Sequence, residues 1–258
     1  KRTVLGFLGT AFSFGEETVA AWQSAWERQL KSKIRERYSK QAFVGGLHQN
    51  APARMAEVGY SKQMISFLPT KLQNAFSGCG CPVAGLTLVG NEVVVDLGSG
   101  AGIDSFLVKK ELGSGSVIAV DLSQEMLRLA QQHTQNVPIN LVTGDLEQLP
   151  LKDCIADIVI ANASFNLAIN KKTAYKEALR ILKPGGKLAA WDLIRVGDLP
   201  KEVLENPLAH TTSLGGVVEE ETILTALRAV GFTEIKIRGH SRFSLVFAVS
   251  ISARRSSI

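Results

Sequence analysis

The stretch from Glu92 to Gly102, read as Glu-Val-Val-Val-Asp-Leu-Gly-Ser-Gly-Ala-Gly, constrains the fold of this chain more than any other. Its three consecutive valines are typical of a strand that is buried on both faces of a parallel sheet. Gly98, Gly100 and Gly102 then predict a tight turn, and the apolar residues that follow predict a helix. Because glycines let the backbone approach a ligand and a helix N-terminus offers free N–H groups, this unit predicts a nucleotide-binding site.

The acid before the turn indicates which nucleotide is bound. The turn reads G-x-G-x-G and departs from the G-x-G-x-x-G of dinucleotide enzymes. Asp96, at the end of the strand, would repel a pyrophosphate but would suit a cation such as the ammonium group of a methionine moiety. The stretch therefore favours S-adenosylmethionine (SAM) over NAD. The alternative is a structural strand-to-helix turn without a ligand.

Strand and helix patterns alternate from Glu92 onward, which predicts a parallel sheet with right-handed crossovers. The predicted fold class is α/β, with a Rossmann-like, seven-stranded, mostly parallel sheet and helices on both faces. This domain is predicted to span residues 91–258, with an insertion at about 195–218. Its later strands are predicted at Ser116–Val120, Ile139–Thr143, Ile155–Ala161 and Lys187–Leu193, followed by an antiparallel edge hairpin at Thr233–Arg238 and Phe243–Ile251.

Residues 1–90 are predicted to form an N-terminal arm and a helical cap. A helix is predicted from Glu16 to Tyr38, with its two tryptophans, Trp22 and Trp26, as core contacts and with a favourable Glu27–Lys31 pair. A loop is predicted from Gln41 to Pro52, and a short helix from Ser61 to Leu68 with Ser61 as its cap. The apolar arm before them is expected to pack on the body, with a short signal segment or a membrane-associated segment as alternatives.

Composition excludes several classes of protein. The net charge of +5 comes from 29 basic and 24 acidic residues without a strong basic cluster, so no nucleic-acid partner is expected. No window has the roughly 18–20 apolar residues of a membrane span. Three cysteines indicate a reducing compartment, and the spacing of Cys79 and Cys81 is too tight for a zinc site, so no metal is predicted. The expected location is the cytoplasm, or the reducing interior of an organelle if a targeting segment has been removed.

Polar residues follow each of the later strands, at the sheet edge where open α/β proteins bind their ligands. Asp121, after the second strand, is suited to accept hydrogen bonds from both ribose hydroxyls. The run Gly144-Asp145-Leu146 would place a carboxylate near the adenine amino group and an apolar side chain near its ring. Asn162, after the fourth strand, is expected to close over the methionine end. Together these residues predict SAM binding.

The ordered set Val-Val-Asp-Leu-Gly-Ser-Gly-Ala-Gly, Ala-Val-Asp-Leu-Ser, Gly-Asp-Leu-Glu-Gln-Leu-Pro, Ala-Asn-Ala-Ser-Phe-Asn-Leu and Arg-Ile-Leu-Lys-Pro-Gly-Gly resembles the class I SAM-dependent methyltransferases. Arg35-Glu-Arg-Tyr38, Val58-Gly-Tyr-Ser61, Gly78-Cys-Gly80, the Asn162–Leu167 run and the Leu214-Gly-Gly216 region narrow the resemblance to the arsenite methyltransferase-like branch, over about residues 33 to 250. The resemblance implies a cofactor site made of Tyr38, Asp96, Gly98, Ser99, Gly100, Gly102, Asp121, Leu122, Met126, Gly144, Asp145, Leu146 and Asn162.

The chain departs from that branch where arsenic would be held. The resemblance implies three cysteine ligands, of which Cys79 retains the first, whereas Ala163 and Ser213 stand at the other two positions. Trivalent arsenic is a soft centre that requires sulfur ligands. The predicted acceptor is therefore a small organic metabolite. The alternatives are arsenite or a related metalloid, and a SAM-binding protein of the same fold that transfers no methyl group.

The predicted reaction is an in-line SN2 displacement, in which the protein aligns the acceptor and excludes water, leaving S-adenosylhomocysteine (SAH). A general base is needed only if the acceptor loses a proton, and His210 and His48 are the candidates. Cys79, Ala163, Asn166 and Ser213 are expected to lie on the acceptor side. The expected assembly is a monomer or a homodimer.

Overall fold

The computed structural model describes residues 2–5, 11–14, 16–44, 50–134, 136–204, 209–212, 214 and 216–257. For residues 2–5, 11–14, 16–23, 43, 44, 204 and 210 it describes the backbone alone. Two of the predicted site residues, His48 and Ser213, lie outside the described residues.

A seven-stranded sheet forms the centre of the molecule, in the order β5-β4-β3-β6-β7-β9-β8. The first five of these strands are parallel, and β9 runs antiparallel to both β7 and β8. The predicted Rossmann-like fold class is thereby confirmed. The strands are β3 (Val93–Leu97), β4 (Ser116–Asp121), β5 (Ile139–Thr143), β6 (Ala156–Asn162), β7 (Leu182–Ile194), β8 (Phe232–Phe243) and β9 (Val246–Arg255); a separate antiparallel pair comprises β1 (Arg2–Leu5) and β2 (Ala11–Phe14).

The helices connect the strands and cover the sheet. They are α1 (Glu16–Val44), α2 (Ala51–Glu57), α3 (Lys62–Phe67), α4 (Thr70–Asn74), α5 (Ile103–Glu111), α6 (Gln124–His133), α7 (Lys171–Ile181), α8 (Lys201–Leu204) and α9 (Glu220–Val230), with 3-10 turns at Pro82–Gly85, Phe165–Leu167 and Ala209–Thr211. Side chains of Ser61, Ser123 and Asn170 accept hydrogen bonds from backbone N–H groups and so begin α3, α6 and α7. Gly231, with φ of 106°, ends α9.

Apolar side chains fill both sides of the sheet. On one side, Phe165 and Tyr175 pack at 4.6 Å between ring centroids within a cluster that includes Leu188 and Ile251. On the other side, residues of α2, α4 and α5 such as Met55, Leu72 and Phe106 pack on β3 and β6. Because both faces of the parallel strands are covered, their carboxyl ends are left as the place where polar side chains meet a ligand.

Three predictions for the N-terminal part are wrong. The first helix continues past Tyr38 to Val44, and the last two residues of the predicted loop, Ala51 and Pro52, are the first two of α2. Pro52 does not prevent this helix, because a proline in the first turn lacks only an N–H that would have no partner within the helix. Trp26, expected in the core, is 42% exposed. The side chain of Trp22 lies outside the described part of the chain.

Candidate active site

A cleft with an empty volume of about 760 Å³ lies at the carboxyl ends of the parallel strands, beneath α1. Four groups of residues line it: Lys31, Ile34, Arg35 and Tyr38 of α1; Gly98 and Gly100 of the turn after β3; Asp121–Ser123 and Gly144–Glu147 after β4 and β5; and Asn162–Ser164, Leu167 and Ala168 after β6, together with Ser77.

The glycine turn is fixed against the end of β4. The N–H groups of Gly98 and Ser99 both donate to the carbonyl oxygen of Val120, at 2.8 and 3.0 Å. All three glycines have positive φ, a conformation that other residues rarely adopt. Gly102 begins α5, so Gly98 and Gly100 face the cleft while Gly102 does not line it. The Ser99 hydroxyl oxygen is buried and has no hydrogen-bond partner in the described part of the chain.

Asp121 connects the turn to the next helix. Its Oδ2 accepts from the N–H of Gly100 and its Oδ1 from the N–H of Ser123, both at 2.8 Å. Burial raises the pKa of this carboxyl above its usual value. Asp121 and Leu122 line the cleft, whereas Met126 is buried in the core and does not.

Two buried acids lie beneath the glycine turn. Asp96 accepts a hydrogen bond from the Ser105 hydroxyl at 2.6 Å, and burial, followed by the charge of Asp104, raises its pKa to about 8. Burial raises the pKa of Asp104 to about 6, although hydrogen bonds from Tyr60 and Asn162 oppose this. Neither acid lines the cleft. Asp104 and Tyr60 were missed in the sequence, although an acid in the first turn of the helix after a glycine turn could have indicated Asp104.

A salt bridge joins α1 to the strand-end loop after β5. Lys31 Nζ lies 2.7 Å from Asp145 Oδ2 and 3.2 Å from Glu147 Oε2. Burial lowers the pKa of Lys31, but the hydrogen bonds and charges of the two acids outweigh it and raise the pKa. Lys31 therefore pairs across the cleft and not with Glu27 of its own helix. Sequence spacing could not reveal this contact, which spans more than a hundred residues.

Asn162 holds the loop that contains Cys79. Its Oδ1 accepts from the N–H of Cys79 at 2.9 Å and from that of Gly80 at 3.3 Å. Cys79 is 1% exposed and does not line the cleft, and burial, followed by the charge of Asp192, raises its pKa well above the usual value. Burial likewise raises the pKa of Cys81 to about 12. Both thiols are therefore protonated at neutral pH.

The other residues expected on the acceptor side are only partly brought together. Ala163 lines the cleft, but Asn166 is buried behind it, where its N–H donates to Asp192 Oδ2 at 3.0 Å. Burial raises the pKa of Asp192 to about 7, and this acid was missed in the sequence because no motif includes it. His210 lies in the 3-10 turn Ala209–Thr211, and only its backbone is described.

The described residues contain neither a cluster of metal-ligating side chains nor a membrane-spanning helix. Within the described ranges, no three or more His, Cys, Asp or Glu side chains are grouped so that they could hold a metal ion. No helix in the described part of the chain is both long and apolar enough to cross a membrane.

Residues 95–190, which include the glycine turn and all the strand ends of the cleft, match a family described as a methyltransferase domain. The chain carries a methyltransferase domain. This match and the curated relatives below agree with the predicted class I SAM-dependent methyltransferase family and with the resemblance to the arsenite methyltransferase-like branch.

This methyltransferase domain is similar to curated proteins and to solved structures, of which two proteins and one structure are described here. An arsenite methyltransferase of Halobacterium salinarum is 34% identical over 62% of this chain and 42% of its own. A malonyl-[acyl-carrier protein] O-methyltransferase of Methylococcus capsulatus is 29% identical over 56% of this chain and 53% of its own. The chain thus spans about half the length of these curated relatives.

The solved structure is an arsenic(III) S-adenosylmethionine methyltransferase from Chlamydomonas reinhardtii. It aligns with a TM-score of 0.57 at 24% identity, covering 81% of this chain and 73% of the other. At this identity the likeness shows the shared fold.

The buried acids predict how stability depends on pH. The folded-state pKa values of Asp104, Asp192 and Asp96 are about 6, about 7 and about 8, against an unfolded value of ~4. Between these limits the folded protein binds more protons than the unfolded chain, so these groups stabilise it most below pH ~4 and lose that contribution as pH rises. We expect the midpoint of urea unfolding to fall from pH 5 to pH 8.

Two variants check the assignment of this pH dependence. Asp104→Asn removes one of the interacting charges, so the decline between pH 5 and pH 8 should become shallower. Asp153→Asn, at a largely exposed side chain, should leave the decline unchanged. A midpoint that stays constant or rises over this range would contradict the raised pKa values.

Proposed function

We propose that this chain is a SAM-dependent methyltransferase that acts on a small organic acceptor. The observation that carries the proposal is Asp121, whose carboxylate holds both Gly100 of the glycine turn and Ser123 at the start of α6 while it lines the cleft. The Asp121 carboxylate can accept hydrogen bonds from the two hydroxyls of a ribose. It lies directly beside the glycine turn, where a ligand can approach the backbone closely.

The cleft fits the three parts of the cofactor. Asp121 would hold the ribose, and Asp145 and Leu146, with Leu122, would hold the adenine. The methionine end would lie toward Gly98 and Gly100, above Asp96 and Asp104. The orphaned Ser99 hydroxyl supports a ligand at this turn, because buried polar groups nearly always have a partner. A cation bound above the two acids would favour their ionised forms and so lower their raised pKa values.

The protein's contribution to the reaction is mainly positioning. When bound, SAM supplies a methyl group that its sulfonium already activates toward nucleophiles. The residues that line the cleft orient the acceptor and keep water out, which lowers the barrier by fixing the reacting geometry. His210 and His48 remain the proposed bases for an acceptor that must lose a proton.

Two features favour an organic acceptor over arsenite. The cleft wall after β6 is built from Ala163, Ser164, Leu167 and Ala168, with Ser77 also lining the cleft, a mixture suited to a small organic molecule. The thiols of Cys79 and Cys81 are buried and protonated, whereas soft metalloids bind thiolates. Arsenite is the second candidate for the acceptor, because one of the curated relatives is an arsenite methyltransferase.

We further propose that the N-terminal residues 1–90 act as a cap over the cleft. Four side chains of α1 line it, and Lys31 ties α1 to Asp145 and Glu147. The cofactor would then have to pass α1 to enter and leave.

Replacing Asp121 tests the cofactor site. Asp121→Asn should weaken SAH binding by about 10- to 100-fold, because it replaces an ionised acceptor of hydrogen bonds by a neutral amide. Isothermal titration calorimetry measures the affinity, and circular dichroism checks the fold. Asp198→Asn, at a side chain that is 98% exposed, is the matched control and should bind normally. Equal affinities for the two variants would refute the proposed site.

Replacing Lys31 tests the cap. Lys31→Met removes the salt bridge across the cleft, so SAH should dissociate severalfold faster, while its equilibrium affinity changes less because entry also becomes faster. Stopped-flow dissociation measures the rate. Lys40→Met, at an exposed lysine of the same helix, should dissociate at the original rate. If both variants keep that rate, α1 does not gate the cleft.

An assay with arsenite, SAM and glutathione tests the acceptor. The chain should give negligible methylated arsenic, and Ala163→Cys combined with Ser213→Cys should increase it by restoring the thiol set. Mass spectrometry of the products decides. Robust arsenite methylation by the unchanged chain would overturn the argument from the thiols. If SAM binds but no extract of metabolites yields SAH, the non-methylating alternative replaces the proposal.

A further inference from the structure

The side chain of Asn162 holds the loop Gly78–Gly80 in place. Its Oδ1 accepts from the N–H groups of Cys79 and Gly80, and its Nδ2 donates to the carbonyl oxygen of Gly80 at 2.8 Å. One amide side chain thus satisfies three backbone groups that would otherwise be buried without a partner. The loop therefore depends on Asn162 for its conformation.

The two glycines of this loop are required by close packing. A Cβ at Gly78 would lie 2.4 Å from Asn162 Nδ2, and a Cβ at Gly80 would lie 1.9 Å from the ring of Trp191. The loop can therefore lie flat on both side chains only because these two positions lack a Cβ. Ser77, the residue before the loop, lines the cleft, so the position of the loop sets part of the cleft wall.

The same amide also contacts the base of the cofactor site. Nδ2 of Asn162 lies 3.0 Å from Asp104 Oδ2 and 3.0 Å from the Tyr60 hydroxyl, which itself donates to Asp104 Oδ1 at 2.6 Å. Asp104 is in the first turn of α5, directly after the glycine turn. Since Asn162 also lines the cleft, a bound cofactor would lie against a side chain that contacts both the glycine-turn helix and the loop.

We infer that Asn162 is a positioning residue through which cofactor binding orders the Gly78–Gly80 loop and the acceptor wall that the loop supports. The inference rests on the proposed function. It replaces the expectation that Asn162 only closes over the methionine end. If Asn162 had only a structural role, it would hold the loop equally well with and without cofactor. The effect of the cofactor on the mobility of the loop therefore distinguishes the two roles.

The experiment follows alkylation of the cysteines by N-ethylmaleimide, resolved by mass spectrometry. In the unchanged protein, saturating SAH should slow the alkylation of Cys79 at least about threefold and leave Cys81 unchanged. Cys81 is the internal control, since its side chain is buried in the neighbouring core cluster. In Asn162→Ala, Cys79 should react about tenfold faster relative to Cys81, and the effect of SAH should disappear.

Two further variants separate the contacts of Asn162. Asn162→Asp keeps the oxygen to which Cys79 and Gly80 donate but loses the N–H groups that donate to Asp104, Tyr60 and the Gly80 carbonyl. Since the two bonds to the loop N–H groups remain, Cys79 should react more slowly than in Asn162→Ala, while the effect of SAH is lost. Asn140→Ala removes an exposed amide from β5 and should behave as the unchanged protein. Calorimetry confirms that SAH saturates each protein used.

The outcomes distinguish this inference from the proposed function. If SAH does not bind the unchanged protein, the proposed function fails. If SAH binds but leaves the alkylation of Cys79 unchanged, or still slows it in Asn162→Ala, the coupling through Asn162 is wrong. Equal acceleration of Cys79 and Cys81 in Asn162→Ala would show a general loss of stability and would also refute it.

Discussion

The close contact between the glycine turn and the end of β4 is the interaction on which the rest of the site depends. The carbonyl of Val120 receives two N–H groups of the turn, and the carboxylate of Asp121 receives a third. These bonds require a backbone with positive φ at Gly98 and Gly100, and both glycines line the cleft. The cleft wall made by the ends of β3 and β4 depends on this contact.

Three ionisable carboxyls are buried at this end of the sheet, at a cost to stability that an apolar core would avoid. Asp96, Asp104 and Asp192 all have pKa values raised by burial. Their hydrogen bonds with Ser105, Tyr60 and backbone N–H groups offset only part of that cost. Several buried carboxyls with shifted pKa values at one end of a sheet are typical of a functional site.

Long-range contacts join the cap and the loop to the methyltransferase domain. Lys31 meets Asp145 and Glu147 across the cleft, and Asn162 meets a loop more than eighty residues before it. Each contact neutralises a charge or satisfies a buried polar group, and each fixes the position of its segment relative to the cleft.

The sequence by itself determined the order of strands and helices, the glycine turn and the strand-end residues Asp121, Asp145 and Asn162. Each of these follows from local patterns: β-branched runs, capping residues and the common edge at which parallel strands end. Tertiary structure alone decided that Trp26 is exposed, that Lys31 pairs with Asp145 instead of Glu27, and that Asp104, Tyr60 and Asp192 surround the site. Periodicity reports which face of an element is apolar, but it carries no information about which distant segment that face or a single polar side chain will meet.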